Sequence, residues 1–247
     1  MMQLIDMNNM SVGAMQQGRP KRALFLLATA LACIKDHFAR RQQEESNTNE
    51  TGETSAASLR RQLPRFVSDS SVGAKSEWPG GDVQQDKERA ESSVFSAPSG
   101  VISSYNYGLV LNYNKALMVL HSLDDLEVLT GVVLYNMAIV KHGQAMEKGS
   151  STILTAALML YKTATHVIKR KQDIDIVSDF VLLVAYHNMA HIYVSHFCPE
   201  ELRGCFDATR FLLAQVSTRR FLDRDDMQFF SNSAFLAVKD IRFAPAA

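Results

Sequence analysis

His187 and His191 stand four residues apart in the stretch YHNMAHIY, with His196 and Cys198 soon after. On a helix that spacing puts two imidazoles on one face, which is half of a tetrahedral zinc site. The local text does not supply the rest. Zinc needs three or four ligands, the glutamate of an HExxH motif is absent, and His196 and Cys198 fall in the turn that follows. A cysteine nucleophile needs a histidine and an orienting group beside it, whereas Cys205, next to Phe206 on a helical stretch, reads as a small core residue. PGGD at 79–82 lacks the spacing of a phosphate-binding loop. Asp124-Asp125 and Asp225-Asp226 sit where acidic residues complement a helix N-terminus. The expectation is therefore no catalytic residue, no bound metal, no cofactor, and a protein that is not an enzyme. An enzyme or metal site at the His187/His191/Cys198 cluster is the alternative kept beside it.

A second group of residues recurs. Asn9-Met10-Ser11, Asn136-Met137-Ala138 and Asn188-Met189-Ala190 repeat one pattern, an amide followed by Met and a small residue. A side-chain amide carries both a donor and an acceptor, so it can hold the N–H and C=O of another backbone without reading its side chains. Two roles fit such an asparagine. It can bond a neighbouring helix and fix packing, or it can grip an extended peptide. If the second holds alone, Asn188→Ala weakens capture of a partner and leaves stability nearly unchanged.

The elements that must position these residues are helical. Apolar residues recur at helical spacing over 3–17 and 20–38, with Gly18 ending the first run and Pro20 in the first turn of the second. Ser122 fits an N-cap with Asp125 at the third helical position, ahead of a run to Gly143. Further helical stretches follow Gly149-Ser150, begin in DIDIVSDF, restart at Pro199 and close with DRDDMQFFSNSAFLAVKD. Tyr105, Tyr107, Leu109, Leu111 and Tyr113 alternate with period two, which predicts an extended apolar arm over 101–121 lying on the helices. From Arg40 to about Gly100 the text is rich in Ser, Glu, Gln and Gly and reads as a disordered insertion. Within it, RRQLPRFVSDSS at 60–71 has the layout of a kinase target, and LPRFV or Trp78 could dock back as a self-ligand. The domain organisation read from this is a first hairpin at 1–40, the insertion at 41–100, the arm at 101–121, two hairpins and a terminal helix at 122–240, and a tail at 241–247.

Formal net charge is zero, which removes the long-range attraction expected of a nucleic-acid binder, so no nucleic acid is expected as partner. The longest apolar runs, 23–34 and 180–186, fall short of the roughly 18–20 residues a membrane span needs, so no membrane is expected either. Three cysteines do not make a disulfide framework, and no secretory leader is visible, which points to a cytoplasmic or nuclear protein.

Aligned on the repeated tripeptide, the helices fall into one register. Tyr186, Met189, Ala190 and Tyr193 share a face, and Leu202, Phe206 and Thr209 follow on the next helix, with Leu202 12 residues after Ala190. Ser11 precedes Ala23 by the same 12, followed by Leu27 and Ala30. Ala157, Tyr161 and Ala164 repeat the spacing, but lie 19 residues past Ala138 because of a seven-residue lengthening around HGQAMEKGSST. This pattern resembles the tetratricopeptide repeat (TPR), over about residues 4–37 and 131–215. The layout is also similar to short, lineage-expanded TPR-like proteins of unicellular algae. In this chain Leu202 stands where the family has a small residue.

The resemblance implies an all-α fold of three TPR-like antiparallel hairpins plus a C-terminal helix, interrupted by the insertion. It implies that Asn9, Asn136 and Asn188 face a concave groove, with Asn8, Val12, Tyr135, Ile139, His187 and His191 beside them. The family's clamp for a C-terminal carboxylate needs Lys and Arg there, and this chain has none at those positions. The expected function is a protein–protein interaction module, an adaptor or scaffold that binds a peptide or partner helix through Asn9, Asn136, Asn188, Tyr135, His187 and His191. With so few repeats to cover their own ends, self-association into a homo-oligomer, or a purely structural role, is the further expectation.

Overall fold

The computed structural model describes residues 2–48, 104–111, 123–171, 176–218, 222 and 224–240. The described residues form seven helices and no strand. They are α1 (Met2–Gln16), α2 (Pro20–Thr48), α3 (Leu123–Lys148), α4 (Ser151–Lys169), α5 (Ile176–Ser195), α6 (Pro199–Thr218) and α7 (Arg224–Asp240). The all-α class expected from the periodicity is correct. By its contacts the chain divides into one unit of Met1–His37 with Ala97–Ala247 and another of Phe38–Ser96. The arm at 104–111 and all three asparagines belong to the first. Among the described residues no helix is long and apolar enough to cross a membrane.

One backbone device turns the chain after α1, α3 and α5. The N–H of Arg19, Ser150 and Cys198 bonds back to the carbonyl five residues earlier, on Ala14, Ala145 and Tyr193, at 2.9, 3.0 and 3.1 Å. That closure requires a left-handed residue just before the donor. Gly18 and Gly149 supply it, with φ of 66° and 62°. Phe197 supplies it in the third turn, with φ of 53° and its ring 85% exposed. Pro20 and Pro199 then open α2 and α6, where a missing N–H costs nothing, and the Ser150 hydroxyl caps α4 by accepting from the Ile153 N–H.

Two boundaries differ from those expected. Helix α2 runs to Thr48, eight residues beyond Arg40, where composition placed the start of the insertion. The stretch RRQQEE is polar, but Arg, Gln and Glu are strong helix formers, and a helix already nucleated adds a bond with each residue. Beyond Thr48 the insertion expected at 41–100, with its kinase-like text, LPRFV and Trp78, lies outside the described residues, as do Ser122, Tyr113 and the tail 241–247. Helix α3 does not stop at Gly143 but continues to Lys148.

Lengthening of both α3 and α4 accounts for the seven extra residues of the second pair. In the first pair Ser11 lies five residues before the end of α1, and Ala23 three after the start of α2. Ala190 and Leu202 keep the same five and three in α5 and α6. Ala138 lies ten residues before the end of α3 and Ala157 six after the start of α4. The turn between them shrinks from three residues to two. Helix α3 thus gains five residues and α4 three, roughly one turn each, while the turn loses one.

Packing follows the chain order. Helix α3 packs mainly on α4, α5 on α6, and α4 on α5; α7 covers α6, and α3 also touches α1 and α5. Ser11, Ala23, Ala138, Ala157 and Ala190 are fully buried, and Leu202 is buried in the remaining register position. Gly131, on α3, lets α4 come so close that a Cβ there would overlap Cγ1 and Cδ1 of the buried Ile168. Helix α5 is buried around its circumference, which makes it the centre of the bundle and places Asn188 deep inside.

Candidate functional site

A buried amide is costly unless its N–H₂ and C=O are both paired. Asn8, Asn136 and Asn188 are fully buried and Asn9 is half-buried, so each must find partners. They find them on residues 104–111, which run as an extended segment across α5, α3 and α1. Asn188 accepts from the Tyr105 N–H at 2.7 Å through Oδ1 and donates to the Tyr105 carbonyl at 3.0 Å through Nδ2. Asn136 holds Leu109 in the same way, at 2.7 and 3.0 Å. Asn9 holds Leu111, at 2.9 and 2.8 Å.

Each pair is reciprocal, one amide against one residue's N–H and C=O. The side-chain amide thereby does what a neighbouring β-strand would do. In an extended chain the polar groups of alternate residues point to the same edge, and two residues advance about 6.6 Å. Tyr105, Tyr107, Leu109 and Leu111 all present that edge to the helices, the Tyr107 carbonyl accepting from the Tyr135 hydroxyl at 3.4 Å. The period-two pattern of the sequence is therefore the period of the grip. It does not dictate burial: Tyr105 is 6% exposed, but Tyr107 is 69% exposed, its ring lying 5.1 Å from that of Tyr105, which has taken the pocket.

The row is cross-linked to itself. Asn136 Nδ2 donates to Asn8 Oδ1 at 2.9 Å, and Asn8 Nδ2 donates to the Leu109 carbonyl at 2.9 Å and to Asn9 Oδ1 at 3.3 Å. Asn188 Nδ2 lies 3.2 and 3.4 Å from the hydroxyl oxygens of Tyr161 and Tyr135. Burial raises both hydroxyls well above their ordinary pKa, so they stay protonated. Packing and gripping are thus not separate roles here. The same amide orients buried tyrosines on the bundle side and holds a backbone on the other.

The histidine-rich stretch has a different arrangement. His187 is buried with its ring 5.0 and 5.3 Å from those of Phe229 and Phe230 on α7, rings that Tyr105 also touches. His191 pairs with His142, a residue the sequence did not single out, at 3.1 Å from Nδ1 to Nε2. The other His142 nitrogen lies 3.3 Å from the Tyr161 hydroxyl. Burial, and then the neighbouring His191, push the His142 pKa down to about 3; burial also lowers that of His191. The Cys198 thiol donates to the His196 carbonyl in the turn before α6. Burial raises the Cys205 thiol to about 12, which keeps it unreactive. Among the described residues no three His, Cys, Asp or Glu side chains converge to hold a metal ion. No spacing rule would have found His142, because it stands four residues after Ala138 whereas His191 stands one after Ala190.

Comparison with protein-family models, with curated proteins and with solved structures finds no match to this chain.

Proposed function

We propose that this chain is a TPR-like interaction module, an adaptor whose helix pairs hold an extended polypeptide along the row Asn9, Asn136 and Asn188. The observation that carries the reading is the reciprocal pairing of each asparagine with both backbone groups of one residue of 104–111. Three amides set in one register on α1, α3 and α5 form a sequence-blind grip, the physical requirement for holding peptides. The turn closure shared by all three pairs and the matching spacings of the first and third pairs support the repeat assignment.

A second reading is favoured by the same contacts: the row is filled by the chain's own segment, so it serves as a structural strap closing a helical repeat protein. Comparative capture from extracts of the native cell separates the two. The full chain and its Asn136→Ala/Asn188→Ala variant are immobilised, and recovered proteins are quantified. Partners recovered at least tenfold less by the variant support the adaptor. Equal recovery by both leaves the strap as the function of the row.

A further inference from the structure

We propose that the groove is a tyrosine-anchored peptide site, taking in trans an extended segment with tyrosine at one position and glycine three residues later, for which Tyr105–Gly108 is the resident competitor. This rests on the peptide-holding reading of the asparagine row and adds the identity of the ligand.

Within 104–111 only one side chain is buried. The Tyr105 ring stands among Phe180 of α5 and Phe229 and Phe230 of α7, with centroids at 6.4, 5.6 and 5.1 Å. A wholly apolar pocket would take phenylalanine as readily. This one has the Asp226 carboxylate beside the hydroxyl, which donates to it at 3.3 Å. A carboxylate there favours the phenol, and repels a phosphate on the same oxygen. Asn188 clamps the backbone of that residue, so the ring can enter in one register alone.

Three residues on, α1 comes close to the segment. A Cβ on Gly108 would lie 3.0 and 3.1 Å from the Val12 methyls and 3.3 Å from Met15 Cε, so any larger residue must push α1 side chains aside. Asn106, Tyr107 and Val110 are exposed, and Leu109 and Leu111, half-buried, are held through their backbone. Recognition reduces to Tyr-x-x-Gly on an extended chain. The resident segment leaves Tyr107 and Val110 69% and 60% exposed, so its hold depends on the same few features that a ligand in trans would present.

The probe is a fluorescein-labelled peptide of sequence SYNYGLVL, measured by anisotropy on the full-length chain and on its Gly108→Val variant, which weakens the resident segment. The expected result is binding at least tenfold tighter to the variant than to the wild type. Peptides carrying Phe or phosphotyrosine for the first Tyr, or Val for Gly, should bind the variant about tenfold or more weakly than the parent. On Gly108→Val/Asp226→Asn the preference for Tyr over phosphotyrosine should shrink. Phe- and Val-bearing peptides that bind as tightly as the parent overturn the proposal. Should the variant not fold, amide exchange on the wild type decides: millimolar parent peptide must accelerate exchange at Tyr105, Leu109 and Leu111, and no acceleration overturns the proposal. If the peptides fail while capture still depends on Asn136 and Asn188, the ligand class is wrong and the grip stands. Capture independent of both asparagines removes the grip on a partner and leaves the strap.

Discussion

Asn188 encloses the backbone of Tyr105, its Oδ1 2.7 Å from the N–H nitrogen and its Nδ2 3.0 Å from the carbonyl oxygen, while also reaching the Tyr161 hydroxyl at 3.2 Å. Removing the amide takes a hydrogen-bond partner from the Tyr105 backbone on one side and from the buried Tyr161 and Tyr135 hydroxyls on the other. Asn188→Ala should therefore lose about 1–3 kcal/mol of stability, against the nearly unchanged stability expected if the residue served a ligand alone. Urea unfolding measures the loss, and amide exchange at Tyr105 should accelerate with it. Unaltered stability would mean that the segment is not seated in solution.

Phe197 stands where Gly18 stands in the first turn, and a side chain in the left-handed region costs about 1–2 kcal/mol. Its ring is too exposed to return much of that. Phe197→Gly should stabilise the chain, the gain reduced by glycine's larger unfolded-state entropy to about 0.5–1 kcal/mol. At this chain length that is a rise of about 1–4 °C in Tm. A lower Tm would show that the ring holds the turn through contacts of its own.

Gly131→Ala tests the closeness of α3 and α4. Helix propensity alone predicts a gain of about 1 kcal/mol. The added methyl would overlap Ile168, which is buried and cannot swing aside, at a cost of about 1–3 kcal/mol for overpacking. The expected net is a modest loss, partly restored by Ile168→Val, which removes Cδ1. A stabilised Gly131→Ala would place the helices further apart than they stand here.

The His142–His191 pair makes stability depend on acid. Both folded-state pKa values lie below the ordinary 6.5, that of His142 at about 3. Between these limits the unfolded chain binds more protons, so stability falls as pH drops below about 6.5 and is fully present above it. Each proton contributes a slope of at most about 1.4 kcal/mol per pH unit. His142→Gln should flatten the profile between pH 4.5 and 6.5 relative to wild type. Parallel profiles for the two proteins would remove the pair as the cause.

The sequence by itself determined the local features. Apolar periodicity set the helices, Gly18, Gly149, Pro20 and Pro199 set the turns, and the repeated Asn-Met-small text set Asn9, Asn136 and Asn188 in one register. The alternation from Tyr105 to Leu111 marked an extended segment. These are properties of neighbouring residues, because helix, turn and strand geometry repeat over two to five positions. Helix ends were less legible: composition placed a boundary at Arg40 and periodicity one at Gly143, yet both helices continue, since a formed helix extends through polar residues that favour it. Only the tertiary structure decided what the asparagines hold, that His191 meets His142 across two helices, and that α7 completes the Tyr105 pocket. Those relations join residues 27 to 125 positions apart, and nothing in the spacing of either partner depends on the other. They follow from burial, which forces each enclosed amide, ring nitrogen and backbone group to find a partner wherever packing brings one.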